Sequence, residues 1–398
     1  MFNPVRGSAR ETIRFEDAKS VSTVIADNRL KRPLYFDGRF LTARDMTREQ
    51  TYFLARQADL GKAGGAGVVA GLNVTQGAGQ ATIGISRGQG VTAEGELVVL
   101  TQAASIDLSD AAELQRLNAA FGLLRIPNEP LRTRSGVFIV GLRPVEFSAN
   151  PIASYPTTLS DRRSLQDGDI IEGAAITLVP YDDGGARTDY DTRRSIIARS
   201  IFTEGVTKGI PSGLLPLAMI ALDRAILQWV DTNMVRREIG AEHGNILGLG
   251  FAPRALREAH LMQYLEQFQE VLDQRAHSGA GQRFAATDHF RALPSAGLMP
   301  SAAINSVDFT QIYFPPQVRV DLSIVPRDEV PALLEESLEM PPIDLEADGA
   351  DLESTSILAL VPVERGDLVA LRSQLTDMTR AIRTAVPGLV AQRSPLES

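Results

Sequence analysis

Three local signals packed into residues 37–67 constrain the fold of this 398-residue chain more than any other feature it has. Asp37-Gly38 lies inside 34–41, where aromatic and apolar residues alternate. That dipeptide predicts a hairpin, because glycine takes a positive φ without strain. Thr42 stands three residues before Asp45, the spacing of a capping box. In such a box a hydroxyl and a carboxylate each satisfy an orphan backbone N–H at a helix start. The helix is expected over 43–60, with Met46, Phe53, Leu54 and Leu60 on one apolar side. Gly61, Gly64, Gly65 and Gly67 then end it.

Beyond this stretch the texture is mostly that of short strands. Between 68 and 108 apolar runs alternate with glycine turns, one of them Glu94-Gly95-Glu96, which predicts an antiparallel meander. A short helix is expected at 109–121, strands at 136–145, 169–180 and 195–202, and a loop at 180–190. A strand pair follows at 214–222 and 225–230, turning at Asp223-Arg224. Residues 253–277 carry helical apolar spacing and 278–306 read as a Gly/Ala/Pro-rich linker. Strands are expected at 314–326 and 356–363, and a last helix at 368–385. The fold class expected is mixed, β-rich α+β: an antiparallel β-sandwich domain, a helical segment and a smaller C-terminal α+β domain. The corresponding divisions are 1–32 (an N-terminal arm), 33–245, 246–300 and 301–398.

Composition removes whole classes of chemistry. The chain has no cysteine, which excludes disulfide scaffolds, thiol catalysis and iron–sulfur clusters. A formal charge of −9, with no basic cluster free of acids, argues against nucleic acid as a partner. No apolar run is long enough to span a bilayer, and the first residues lack the apolar core of a signal peptide. The product is therefore expected to stay in the cytoplasm or leave by a route other than secretion. Only four of the 40 basic residues are lysine; arginine is the cation favoured at interfaces.

Patterns that resemble catalytic motifs fail on context. Gly84-Ile-Ser86-Arg-Gly88 has the spacing of a nucleophile elbow, but a turn and another strand follow it where a helix is needed. Gly65-Ala-Gly67-Val-Val-Ala70 has dinucleotide-fingerprint spacing in inverted order, after a helix and before a strand. Asp344-Leu-Glu346-Ala-Asp348-Gly349 lacks the glutamate that closes a calcium loop and reads as a solvated acidic loop. The histidines, His243, His260, His277 and His289, form no ligand pair. No catalytic residue, cofactor or metal is expected.

Pro33-Leu-Tyr-Phe-Asp-Gly-Arg-Phe-Leu41, then Asp45, Gln50 and Tyr52-Phe53, then Gly67-Val-Val-Ala-Gly-Leu-Asn-Val74, is similar to a pattern in proteins of contractile tails. These are phage tails and contractile injection systems. The stretch also resembles the opening of TssK, the trimeric baseplate adaptor of type VI secretion. There an aromatic-x-Gly-x-Phe-Leu segment leads into a glutamine-rich helix, and Pro-Gln-His stands where this chain has Thr42, Ala43 and Arg44. The resemblance implies that the β-sandwich is a shoulder domain related to siphophage receptor-binding proteins. It also implies a non-enzymatic structural subunit, a baseplate or tail-fibre adaptor assembled in the bacterial cytoplasm into a phage or phage-tail-like particle. Its implied partners are other baseplate or tail subunits and itself, as a homotrimer. Implied interface residues are Tyr35, Phe36, Asp37, Gly38, Phe40, Leu41, Asp45, Gln50 and Tyr52. An implied trimerisation helix carries Leu256, His260, Leu261, Tyr264, Leu265 and Phe268. A host-receptor-binding tail-fibre or tip protein, and a hydrolase on a β-rich scaffold, are the alternatives. Deletion of 1–32 is expected to leave a folded chain that no longer joins the particle.

Overall fold

The computed structural model describes residues 27, 30–108, 135–155, 164–184, 189–205, 209–241, 254–281, 283–300, 312–374 and 376. The N-terminal arm up to residue 26, the helix expected at 109–121, His243 and the end of the helix expected at 368–385 lie outside the described residues. The described chain is mixed α+β and rich in strands.

Helix α1 (Ala43–Gly64) begins at the capping box read from the sequence. The Asp45 N–H donates to Thr42 Oγ1 and the Thr42 N–H to Asp45 Oδ2, both at 3.2 Å. Two small antiparallel sheets follow. One contains β1 (Gly67–Gly71), β4 (Gly88–Val91) and β5 (Leu97–Leu100), in the order β1-β4-β5. The other contains β2 (Val74–Gln76), β3 (Thr82–Ile85) and β6 (Ala104–Asp107), in the order β2-β3-β6.

A larger antiparallel sheet has the order β10-β9-β7-β8, from β7 (Gly136–Ser154), β8 (Ser164–Pro180), β9 (Leu215–Asp223) and β10 (Ile226–Asp231). Its centre is buried on both faces, so β9 reads as an almost unbroken apolar run. Phe138, Val140, Leu217 and Ile220 meet Val68, Leu72, Ile83 and Val98 of the small sheets, giving the sandwich core. Val137, Ile139, Met219 and Trp229 face the other way, onto helix α2 (Tyr190–Glu204) and the start of helix α3 (Arg254–Ser278).

Helix α2 corrects the strand expected at 195–202. Asp189 caps it, accepting the Thr192 N–H at 2.8 Å, and Gly205 closes it at φ +68°. The β-branched Ile196, Ile197 and Ile201 favour a strand locally, but Ile197, Ala198, Ile201 and Phe202 are buried at helical spacing. Tertiary packing overrides the local preference.

The strand pair expected at 214–222 and 225–230 forms as the β9–β10 hairpin. Its two turn residues, Arg224 and Ala225, both sit at positive φ, +50° and +65°. This turn favours Asn-Gly, so the native residues hold strain. The double substitution Arg224→Asn/Ala225→Gly should stabilise the chain by about 1 kcal/mol. Thermal denaturation should show a raised midpoint; an unchanged or lowered one counts against a strained turn.

The stretch expected as a linker is also structured. It holds a 3₁₀ turn at Ala286–Asp288, β11 (Ala292–Leu293) and β12 (Ala296–Leu298), with Phe284, Phe290, Leu293 and Ala296 buried. The small residues that suggest a linker are there for close packing: a Cβ on Gly297 would come within 3.0 Å of the Tyr264 ring. β12 joins β13 (Arg319–Pro326) and β15 (Ser356–Val363) in a parallel sheet, order β12-β15-β13. Helix α4 (Val330–Ser337) covers one face of this sheet through Val330 and Leu333. Between α4 and β15 come β14 (Ile343–Asp344), which pairs with β11, and helix α5 (Gly349–Glu353). The other face meets α3 through Tyr264, Phe268 and Val271.

Helix α3 is thus shared between the two cores. On it, His260 stacks on Phe202 at 4.6 Å, hydrogen-bonds the Ala292 backbone and is fully buried; burial pushes its pKa down to about 4. The unfolded chain binds this proton at about pH 6.5 and the folded chain only near pH 4. Between those values the unfolded state holds more protons, so stability falls as pH falls through the window. His260→Phe should flatten that part of a plot of melting temperature against pH. An unchanged slope would show that His260 is not the group responsible.

Candidate functional site

Among the described residues, the apolar stripe of α1 meets no core. None of its residues is buried, and Met46, Phe53, Leu54 and Leu60 are exposed. Just before the helix, Phe40 is 86% exposed and Leu34 77%, with Phe36 and Leu41 also open. A soluble chain seldom leaves so many large hydrophobic side chains together in water without a use for them.

The polar residues around the stripe make it rigid. Asp37 and Gly38 form the centre of a β-turn, with Gly38 at φ +86° and the Arg39 N–H donating to the Phe36 carbonyl at 3.1 Å. The expected hairpin is therefore corrected to a turn whose flanks form no strand ladder. The flanks are held by side chains instead. Arg39 Nη1 donates to the Leu34 carbonyl, Nη2 pairs with Asp45 Oδ1 at 2.5 Å, and the guanidinium lies 5.8 Å from the Tyr35 ring centre. The Tyr35 hydroxyl donates to Glu49 Oε2 at 2.6 Å. Arg32 lies over the Tyr52 ring at 5.7 Å, and Tyr52 meets Phe53 edge-on.

Asp45 serves both the capping box and Arg39. Its hydrogen bonds to Thr42, then the Arg39 charge, hold its carboxyl below the ordinary range. The hydrogen bond to Glu49 pushes the Tyr35 phenol up. The implied interface residues thus divide by role. Tyr35, Asp45 and Tyr52 brace the site, Asp37 and Gly38 make its turn, and Phe36, Phe40 and Leu41 are exposed beside Gln50. Met46, Phe53, Leu54 and Leu60, read from the sequence as one apolar side, extend the same surface.

Backbone contact moors α1 to the sandwich. A Cβ on Gly61 would lie 2.0 Å from the Gly95 carbonyl oxygen, and one on Gly95 would lie 1.9 Å from that of Ala58. Gly95, at φ +84°, is the centre of the Glu94-Gly95-Glu96 turn.

The residues of the implied trimerisation helix lie in the chain's own interior. Leu256 belongs to the core between the large sheet and α2, and Tyr264 and Phe268 to the core of the parallel sheet. His260 and Leu261 are buried, and Leu265 packs against the second core. A seam between copies made by these side chains would have to open both cores.

Other sequence features find local roles. Ser86 Oγ accepts the Asn73 N–H at 3.0 Å in the connection between β3 and β4. The acidic stretch from Asp344 is partly paired, correcting the solvated loop expected there. Arg199 Nε and Nη2 donate to the two Asp344 oxygens at 2.7 Å, and Glu346 lies within 3.3 Å of both Arg199 and Arg291. Among the described residues, no cluster of three or more acidic or histidine side chains is placed to hold a metal ion. Among them, too, no helix is long and apolar enough to cross a membrane.

No family model matches the chain, and no curated protein matches it. The solved structures similar to it at low levels include three of type VI secretion. A cryo-electron-microscopy structure of the TssK-TssF-TssG baseplate subcomplex of type VI secretion matches at 14% identity and a TM-score of 0.25, over 63% of this chain and 74% of that one. A crystal structure of TssK matches at 11% identity and a TM-score of 0.28, over 63% of this chain and half of that one. A chain of the type VI secretion baseplate complex matches at 12% identity and a TM-score of 0.26, over 80% and 84%.

Proposed function

We propose that the chain is a non-enzymatic structural subunit of a contractile-tail or injection-system particle, attached to a neighbouring baseplate or tail subunit through the α1 face. The observation that carries this reading is the exposed stripe itself. Phe36, Phe40, Met46, Phe53, Leu54 and Leu60 stand open on a turn and helix fixed from behind by Arg39, Asp45, Tyr35 and Glu49. Rigid aromatic anchors of this kind carry most of the energy of protein interfaces. A face ordered in advance also loses little conformational entropy on docking. The likeness of 33–74 to contractile-tail proteins supplies the kind of particle.

The test is incorporation. Full-length Phe36→Ser/Phe40→Ser changes only exposed positions, so its stability should stay within about 0.5 kcal/mol of the wild type. Co-sedimentation with particles from producing cells should fall at least tenfold. Incorporation at the wild-type level would refute the attachment role of this face.

A further inference from the structure

The β7–β8 ribbon has more strand than its sheet supports. β9 flanks β7 only as far as Leu142, yet β7 and β8 stay paired out to Ser154 and Ser164. The unsupported part starts at the pair Val145 and Gly173 and projects about 30 Å, at ~3.3 Å per residue. A two-stranded ribbon is marginal by itself in water. This one is stiffened by side chains: Asn150, at φ +57°, donates to Asp169 Oδ2 at 2.6 Å, and Ser148 Oγ donates to Asp167. It nevertheless exposes Phe147, Ile152, Leu165, Ile170 and Ile171.

The ribbon is also acidic. Residues 145–155 and 164–173 hold Glu146, Asp167, Asp169 and Glu172 and no lysine or arginine. Glu146 and Glu172 are direct cross-strand partners. Like charges so placed repel unless a cation comes between them. The segment that carries the α1 face has the opposite balance. Residues 30–64 contain seven lysines and arginines against four acids, in a chain whose total charge is −9.

We propose that the ribbon of one copy docks on the α1 face of a second copy. This rests on the reading of that face as a docking surface and names its partner. Both surfaces are apolar, their charges are opposite, and the exposed side chains together offer on the order of 1,000 Å² of apolar area, in the range of stable interfaces. Two different patches meet, so the contact is head-to-tail; it closes a ring if the rotation allows and otherwise continues.

A charge exchange on the full-length chain tests the contact by light scattering at about 10 μM, where a micromolar contact is populated. The wild type should be larger than one chain. Glu146→Lys/Glu172→Lys, and separately Arg56→Glu on the flank of the α1 stripe, should each weaken self-association at least tenfold. An equimolar mixture of the two variants should restore it, because each then offers the other a complementary surface. A monomeric wild type, unchanged association of either variant, or a mixture that stays apart would overturn the proposal. Those results leave the attachment reading intact, since that reading is tested by incorporation of Phe36→Ser/Phe40→Ser and not by self-association.

Discussion

Replacing Arg194 with methionine should destabilise the whole chain by about 3–5 kcal/mol, the cost of leaving a buried charge without its partner. Arg194 projects from α2 with 3% of its side chain exposed. Its Nε and Nη2 donate to Asp231 Oδ2 at 3.0 and 2.9 Å, and Nη1 donates to Glu270 at 2.6 Å. The guanidinium lies 5.4 Å from the Trp229 ring centre. Burial works against its charge, and Asp231 and Glu270 overcome that and raise its pKa. The far oxygen of Asp231 accepts the Asn233 and Met234 N–H groups at 3.0 Å. Gln263 of α3 donates to Asp231 and to Gln267, which reaches the His289 carbonyl.

One network therefore joins α2, the end of β10, α3 and the segment before β11, which are the parts that hold the two cores together. Asp231 would be left charged and buried in Arg194→Met. Adding Asp231→Asn should recover part of the loss, and denaturant titration of the single and double variants measures both. A single variant as stable as the wild type would mean that the pair is not buried as described. Because the pair is enclosed, added salt should change its contribution little.

Gly95→Ala should free α1 from the sandwich while the rest of the chain stays folded. The helix buries none of its own side chains, and the close backbone approach of Ala58 and Gly61 to Gly95 holds it against the sandwich. An added methyl would overlap the Ala58 carbonyl, and the turn's φ of +84° disfavours any side chain. Both backbones are fixed, one by the helix and one by the turn, so neither can yield cheaply. Limited proteolysis within 43–64 should accelerate at least tenfold, with little change at β9 or α3. Incorporation into particles should drop with it, since the face would no longer be presented in one orientation. Equal proteolysis rates would show that α1 is moored by something other than this approach.

How much of this was legible in the sequence depended on how local the cause was. The capping box, the Asp37-Gly38 turn and the Gly65 cap of α1 lie within a few residues of what they cause, whereas Gly61 and Gly64, expected to end the helix, lie inside it. Helix α2 was hidden because isoleucine favours strands while its cap, Asp189, sits in a stretch that reads as loop. The segment at 283–298 was hidden because small residues that permit close packing have the composition of a linker. The ribbon was truncated in the sequence reading because Pro151, Gly168 and scattered acids break the apolar pattern that marks a supported strand. Periodicity also gave apolar faces to α1 and α3 alike. It carries no information on what covers a face: α3 is covered by two cores of its own chain, and α1 by nothing in the described residues.

Side-chain oxidation in the free and assembled states tests the central claim, that the α1 face is an interface, most directly. Hydroxyl radicals should modify Phe40, Met46 and Phe53 readily in the free chain diluted to a monomer, where all three are open. In the assembled particle their modification should fall at least tenfold, while Met340, exposed three residues after α4, reports that the reagent still reaches the protein. Equal oxidation of Phe40, Met46 and Phe53 in both states, with Met340 as control, would contradict the account.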